Sequence, residues 1–351
     1  MPVDRPRLSI CLPTHHGRAA ELDRALRSIA AQLPALPEGS VQVCVSDNGS
    51  HDATQEVLRE HAEHLGGALT TFRFEVNQGF TPNLLKAVEL ADGAFCWLMG
   101  SDDEIAPGAV ATVLEALAAG PGLSGLTLNR RNVDDEHPER AYLDDPRVIP
   151  AAPRATYTDA ASAFADLAML QDYISTQVVH RERWHAAVAE LGPEGIAAGR
   201  NFPHMPILGA VIRKNPRWGW IGEPLVEHRV GERSVSSSFE DGLTAYTVMV
   251  TDDREQIWRA MFGRGTRLYR EALRNIWRVQ AHPVALAHLR RQPDQTLALD
   301  VALLRSMVRA YRGLPEFWLQ SLPVLVLPSG LIDAALAGMR RLKAARRPSP
   351  R

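Results

Sequence analysis

An apolar run, Phe95-Cys96-Trp97-Leu98-Met99, stops at Gly100-Ser101 and delivers three consecutive acids, Asp102, Asp103 and Glu104. Adjacent carboxylates are hard oxygen ligands: they hold Mg²⁺ or Mn²⁺, and the metal's remaining positions take phosphate oxygens. A plainer use is also open, because acids just ahead of the helix introduced by Pro107-Gly108 would complement its N-terminus. Another acid, Asp47, follows a second apolar run, Val41-Gln42-Val43-Cys44-Val45. There it can accept hydrogen bonds from a ribose or a base edge. An Asx turn or a helix cap is the alternative, and that alternative is stronger for Asp52.

The elements that must position these acids alternate in type. Leu8 to Leu12 is a short apolar strand ended by Pro13-Thr14, and Leu22, Leu26, Ile29 and Leu33 then recur at helical spacing up to Pro34. Val41 to Val45 is a second strand, followed by a helix through Val57, Leu58 and Leu65. Leu69 to Val76 alternates as a third strand, and Thr81-Pro82 reads as the cap and first residue of a helix through Leu84, Leu85 and Val88. The acid-tipped strand is fourth. Such βα alternation predicts an α/β fold with a mostly parallel sheet, covered on both faces, whose loops gather at the strand C-terminal ends. Three polar loops then converge there: Pro13 to Gly17, Asp47 to Thr54 and Gly100 to Glu104. Neither GxxxxGK[ST] nor GxGxxG stands at a strand-to-helix turn, so phosphate must be held mainly by metal and side chains.

Composition narrows the classes. The 351 residues, 45% hydrophobic and 23% charged, suffice for one large globular domain or two unequal ones. A formal charge of -2 offers no basic field for nucleic acid. Cys11, Cys44 and Cys96 lie in predicted strands without CxxC spacing, which suits reduced core thiols in a cytoplasmic protein. The N-terminus has no signal-peptide pattern, and no apolar run reaches the ~18 residues of a spanning helix, so the expectation is a soluble cytoplasmic protein.

Leu8 to Thr14, Val41 to Thr54, Asn77-Gln78-Gly79 and Trp97 to Gly108 together resemble, in order and spacing, the inverting family-2 glycosyltransferases of the GT-A (Rossmann-like) fold. The likeness is strong over residues 6–130, weaker to about 235 and absent beyond. The Gly-Ser-Asp-Asp run and Gly231-Glu232-Arg233-Ser234 are similar to the branch that builds bacterial O-antigen and capsule, including abequosyltransferase-like enzymes. The resemblance implies a nucleoside-diphosphate sugar donor (UDP, GDP, CDP or dTDP), Mn²⁺ or Mg²⁺, and a glycan, lipid-linked or small-molecule acceptor. It makes Pro13 and Thr14 the floor and edge of the nucleotide pocket and has Asp47 contact the nucleoside. Asn77 and Gly79 would lie beside it. Asp102 matches the metal carboxylate of the DXD motif, with Asp103 as its neighbour, but the acid expected two residues earlier is Gly100, with Ser101 between. Arg229 and Arg233 match cationic groups over the diphosphate, and His228 a histidine that reaches metal or phosphate. For the base that deprotonates the acceptor, His204 stands roughly where the family has an acid, and its ordinary pKa of about 6.5 suits the task. Capping or a neutral core role is the alternative. Glu194, on a Gly- and Ala-rich loop, is the second candidate, and Asp172, just before a strand over 174–179, the third.

Arg130 to Pro153 reads as an irregular excursion, Asp159 to Leu170 as a helix, and 182–191 as a helix ended by Gly192-Pro193. Trp218 to Ile221 and Pro224 to Arg229 read as two short strands, the tryptophans being core or a stacking wall for a sugar. This places a catalytic domain at 1–238 and a helical C-terminal extension at 239–351. The extension's Phe317-Trp318-Leu319 and its basic end, Arg340-Arg341-Leu342-Lys343 and Arg346-Arg347, fit a peripheral rest on an anionic membrane face. Simple packing on the catalytic domain, or a homodimer contact, is the alternative. Two other functions remain open: a non-catalytic nucleotide-sugar-binding scaffold, and a sugar nucleotidyltransferase. The latter should carry a Gly-rich basic loop where Pro13-Thr14-His15-His16-Gly17 stands.

Overall fold

Seven residues in succession are buried in each of the first two strands, β1 (Leu8–Thr14) and β2 (Val41–Asp47), as a central parallel strand covered on both faces requires. The structure is a computed structural model that describes residues 7–134, 142–143, 152, 154–230, 242–289, 301–328, 330–332 and 334. Helices α1 (Ala19–Ala30) and α2 (Thr54–Leu65) return the chain to β2 and to β3 (Leu69–Arg73), and α3 (Phe80–Glu89) leads to β4 (Phe95–Leu98). These four strands form a parallel block in the order β3-β2-β1-β4, with Thr14 opposite Asp47 at one edge. The predicted polar loops do leave from that edge.

Beyond β4 the sheet departs from simple alternation. A three-residue strand, β5 (Asp103–Ile105), contains two of the three acids, and α4 (Ala109–Ala119) follows. Next come β6 (Gly125–Asp134), β7 (Tyr142–Leu143), β8 (Arg154–Tyr157), α5 (Ala160–Leu167), β9 (Gln177–His180), α6 (Arg181–Ala197), α7 (His204–Lys214) and β10 (Trp218–Val230). Strand β9 is antiparallel and joins β4 to β6, β10 runs parallel to β6, and β5 closes the order antiparallel to β10. Six of the ten strands share one direction. This is the expected GT-A arrangement of a mostly parallel sheet flanked by helices.

Several expectations are corrected in detail. Gly79, at φ 84°, caps α3, so the helix starts before Thr81-Pro82 without a side-chain cap. The stretch from Arg130 is strand as far as Asp134, because β6 pairs with β10 along that length. Residues 174–176 form one 3₁₀ turn ahead of β9. Helix α6 continues past Gly192, which kinks it at φ 60°, and carries Glu194 in its second half. The two short strands near the tryptophans are one strand, bent by register shifts around Pro224. Trp218 and Trp220 are core, each with its indole N–H bonded inside the protein.

The C-terminal region is helical as expected: α8 (Gly242–Phe262), α9 (Arg267–Gln280), α10 (Pro283–Leu289), α11 (Val301–Tyr311) and the short α12 (Leu322–Val326). Its Ile257, Trp258, Ile276 and Met307 belong to the same buried cluster as Val179, Trp184 and Leu208. The helices therefore complete a core begun by the sheet. Gly125, where β6 lies against both Trp218 and Val178, is one point where that core has no slack: a Cβ there would run into the Trp218 ring and the Val178 carbonyl. Gly125→Ala is expected to lose about 1–3 kcal/mol of unfolding free energy. Gly67→Ala, which opens into empty space, serves as the control in the same denaturant titration.

Candidate active site

A cavity of about 970 Å³ opens where the predicted loops converge. Its lining includes Pro13, His15, Arg18, Asn48, Asn77, Gly79, Ser101 and Asp102 from the first part of the chain, and Asp172, Tyr173, Arg200, Asn201, His204, His228, Arg229 and Tyr246 from the later part.

The acids divide into an inner and an outer one. Asp103 is 2% exposed. Its Oδ1 accepts from Tyr173 Oη at 2.5 Å and lies 3.0 Å from His228 Nδ1, while Oδ2 accepts from Ser175 Oγ. Pairing of β5 with β10 sets His228 opposite Asp103, and the 3₁₀ turn brings Tyr173 and Ser175 in from another segment. Burial, and then the charge of Asp103, push the Tyr173 pKa well above its usual value, so Tyr173 keeps its proton and donates it. The network then makes His228 Nδ1, which lies 2.5 Å from Tyr173 Oη, a donor, and Nε2 takes no part in it. Asp103, expected beside the metal, has both oxygens engaged in this way and acts as the anchor of the loop.

Asp102 is the outer acid, with 40% of its side chain exposed and Arg18 Nη1 3.3 Å from Oδ2. Burial, then the charge of Asp103, push its pKa up, and Arg18 only partly counters them. A cation beside Asp102 would offset both effects and favour its charged form. Among the described residues no three His, Cys, Asp or Glu side chains group closely enough to hold a metal alone. Glu104 faces away to Arg229 and Arg24, so Arg229 lines the cavity while paired. Arg233 lies outside the described residues.

The nucleoside side is built differently from expectation. Asp47 is fully buried and outside the cavity lining: Oδ1 accepts from the Ser50 N–H at 3.1 Å and from its hydroxyl, Oδ2 from Gln55 Nε2 at 2.6 Å, and Arg73 stands 3.6 Å away. Its carboxylate holds the loop after β2. Thr14 is likewise buried, offering only its carbonyl to the Asn48 N–H and the Asn83 side chain. Asn48 is the residue the sequence reading missed. It donates to the Asn77 side chain and the Gly79 carbonyl and accepts from the Gln78 N–H, so it joins the two loops that do line the cavity.

From the later part of the chain, Asp172 lines the cavity and takes Arg254 of α8 on Oδ2. His204, at the start of α7, is 1% exposed; its Nε2–H is shared between the carbonyls of Gln171 and Asp172, 3.0 Å from each. Nδ1, the nitrogen left to take a proton, is buried without a partner among the described residues. Burial lowers the pKa of the ring to about 4. Glu194 is exposed on α6 and outside the cavity lining, since the kinked helix carries it away.

Residues 9–174 match the family described as Glycosyl transferase family 2. The chain carries a family-2 glycosyltransferase domain. Over 216 residues it is 28% identical to abequosyltransferase RfbV of Salmonella typhimurium, covering 58% of this chain and 61% of that one. It is 45% identical over 60 residues to validoxylamine A glucosyltransferase of Streptomyces hygroscopicus, covering 17% and 14%. The chain thus spans less than two thirds of either relative. Among solved structures, S. aureus TarS 1-349 in complex with UDP-GlcNAc aligns with TM-score 0.58 at 14% identity, covering 88% of this chain and 82% of that one. Mannosyltransferase PcManGT of Pyrobaculum calidifontis, in complex with GDP-Man and Mn²⁺, aligns with TM-score 0.54 at 17% identity, covering 96% and 81%. At such identities these two establish the fold.

The buried histidine gives the glycosyltransferase domain a pH signature. An unfolded His204 would titrate near 6.5, whereas the folded one does so at about 4. The unfolded chain therefore binds the proton more tightly, and stability present above pH 6.5 is lost as pH falls toward 4, by about 3 kcal/mol. His204→Gln should flatten that part of a melting-temperature profile against pH; an acid slope identical to the parent's would mean the ring is not held neutral.

Proposed function

We propose that the chain is an inverting glycosyltransferase that moves a sugar from a nucleoside-diphosphate sugar to a hydroxyl acceptor. The observation that carries this reading is that one cavity is lined by two carboxylates, Asp102 and Asp172, together with the basic groups Arg18, Arg200 and Arg229. The donor's nucleoside lies along Pro13, Asn48, Asn77 and Gly79, and its diphosphate beside Asp102, Arg18 and Arg229. The residues fit a divalent cation that shares its coordination with the diphosphate: the Asp102 carboxylate and His228 Nε2 would hold it, and phosphate oxygens and water would fill the remaining positions. When bound, Mn²⁺ or Mg²⁺ supplies positive charge where the leaving diphosphate gains negative charge.

Asp172 supplies the base in this reading. Its carboxylate faces the cavity with one oxygen held, whereas His204 offers only a buried nitrogen of low basicity. The acceptor oxygen loses its proton to Asp172 as it attacks the anomeric carbon from the face opposite the diphosphate. The bond to the diphosphate breaks and its electron pair leaves with the phosphate oxygen. His204 serves by pinning the carbonyls of residues 171 and 172. Likeness to an abequosyltransferase accords with the resemblance to the branch that builds bacterial O-antigen and capsule, and so with a surface-polysaccharide acceptor.

Asp102→Asn is expected to abolish transfer at sub-millimolar metal with the fold intact by circular dichroism. Asp172→Asn should lower turnover about 10²–10⁴-fold with donor affinity retained. Donor hydrolysis followed by nucleoside-diphosphate release checks both: wild-type rates in Asp102→Asn would remove the metal reading, and donor binding with no hydrolysis at all in the parent would favour the scaffold.

No helix among the described residues is long and apolar enough to cross a membrane. Leu319 and Trp318, 78% and 44% exposed, together with the basic sequence at Arg340 to Arg347, support a peripheral rest on an anionic membrane face. Cosedimentation with phosphatidylglycerol vesicles but not phosphatidylcholine vesicles is the expected result; no binding to either would discard the contact.

A further inference from the structure

Two consecutive residues of α8, Asp253 and Arg254, are 0% and 2% exposed, and each reaches a different loop on the Asp172 side of the cavity. Asp253 takes Arg200 Nη1 at 2.9 Å and Asn201 Nδ2 at 2.7 Å. Arg200 is the single non-glycine residue with positive φ among the described residues, at 49°, so the Asp253 contacts hold a backbone conformation that L-residues seldom adopt. Arg254 donates Nη2–H to Asp172 Oδ2, while its Nε and Nη1 are buried without partners among the described residues.

An ion pair kept for stability alone would be expected to satisfy all its donors, and one that does not is commonly replaced by apolar side chains without loss. Here the guanidinium gives up water for a single carboxylate oxygen. That oxygen belongs to a residue that lines the cavity, and the grip on Oδ2 leaves Oδ1 without a hydrogen bond among the described residues. The contact comes from 82 residues further along the chain, in a segment whose helices otherwise read as packing. We propose that Arg254 is a positioning residue for the transfer reaction: it fixes the rotamer of Asp172 so that the free oxygen meets the acceptor hydroxyl, while Asp253 fixes the facing Arg200-Asn201 loop. The C-terminal helical region is in this way part of the acceptor site. The proposal rests on the assignment of Asp172 as the base.

The test compares the parent, Asp172→Asn, Arg254→Lys and the double variant. Each is assayed for nucleoside-diphosphate release from UDP-GlcNAc, UDP-glucose and GDP-mannose with Mn²⁺. Donor affinity is measured by calorimetry, and folding by thermal melt. Arg254→Lys keeps the charge and the stem but loses the planar fork. Turnover is expected to fall at least tenfold, with donor affinity within twofold of the parent and a cooperative melt retained. In the Asp172→Asn background Arg254→Lys should have no further effect, because a residue that acts through Asp172 has nothing left to position. Parental turnover in Arg254→Lys would overturn the proposal, as would losses that multiply in the double variant. Parental turnover in Asp172→Asn would instead remove the base assignment itself, and with it the role given to Arg254.

Discussion

A buried carboxylate must be satisfied wherever the chain can reach it, and Asp103 is satisfied by three side chains from two distant segments. Its own strand β5 is anchored to β10 through His228, 125 residues away, and the turn before β9 supplies Tyr173 and Ser175. Removing one partner of such a site typically costs about 1–3 kcal/mol or more, because the charge stays buried while a hydrogen bond to it is lost. The exposed neighbour, Asp102, inherits its position from this arrangement. A residue that would otherwise sit on a flexible turn is held at the cavity wall by the one beside it.

The direction of β9 matters as much as the acids. Parallel strands present only their C-terminal ends at the ligand edge, so each contributes the loop that leaves it. Because β9 runs the other way between β4 and β6, the segment entering it, Asp172 to Thr176, arrives at that same edge. Both halves of the site, the acids after β4 and the polar residues before β9, are thereby adjacent without any long loop. Trp97 reinforces the join by donating its indole N–H to the Ser175 carbonyl at 2.8 Å.

Local pattern carried the parallel half into view. Strands β1 and β2 are apolar runs buried on both faces, and the helices between them show a clean 3.6-residue stripe, so the loop edge and Asp102 on it were legible. What pattern could not show was where a polar side chain spends its hydrogen bonds. Asp47 looks like a ligand-binding acid from its place after β2, yet Ser50 and Gln55, three and eight residues on, take up its oxygens. Strand β5 escaped notice because three residues, two of them acids, have no apolar period, and their strand character exists only through β10. His204 was visible as a residue type but not as a buried one. Arg254 and Tyr173 carry no local signal at all, since their meaning comes from a carboxylate distant in sequence or hidden in the fold. The next-residue position of Tyr173 to Asp172, and the isolated arginine within the apolar face of α8, are the only hints the sequence holds.

The long separation between β5 and β10 also has a consequence for how the molecule comes together. Loop closure over more than a hundred residues is entropically slow, whereas the β1-to-β4 block forms from contacts between successive elements. During synthesis the nucleotide-facing strands can settle while β10 and α8 are still unmade, leaving the acid loop with its inner carboxylate uncompensated. The acid loop therefore reaches its final pairing only once β10 closes the sheet.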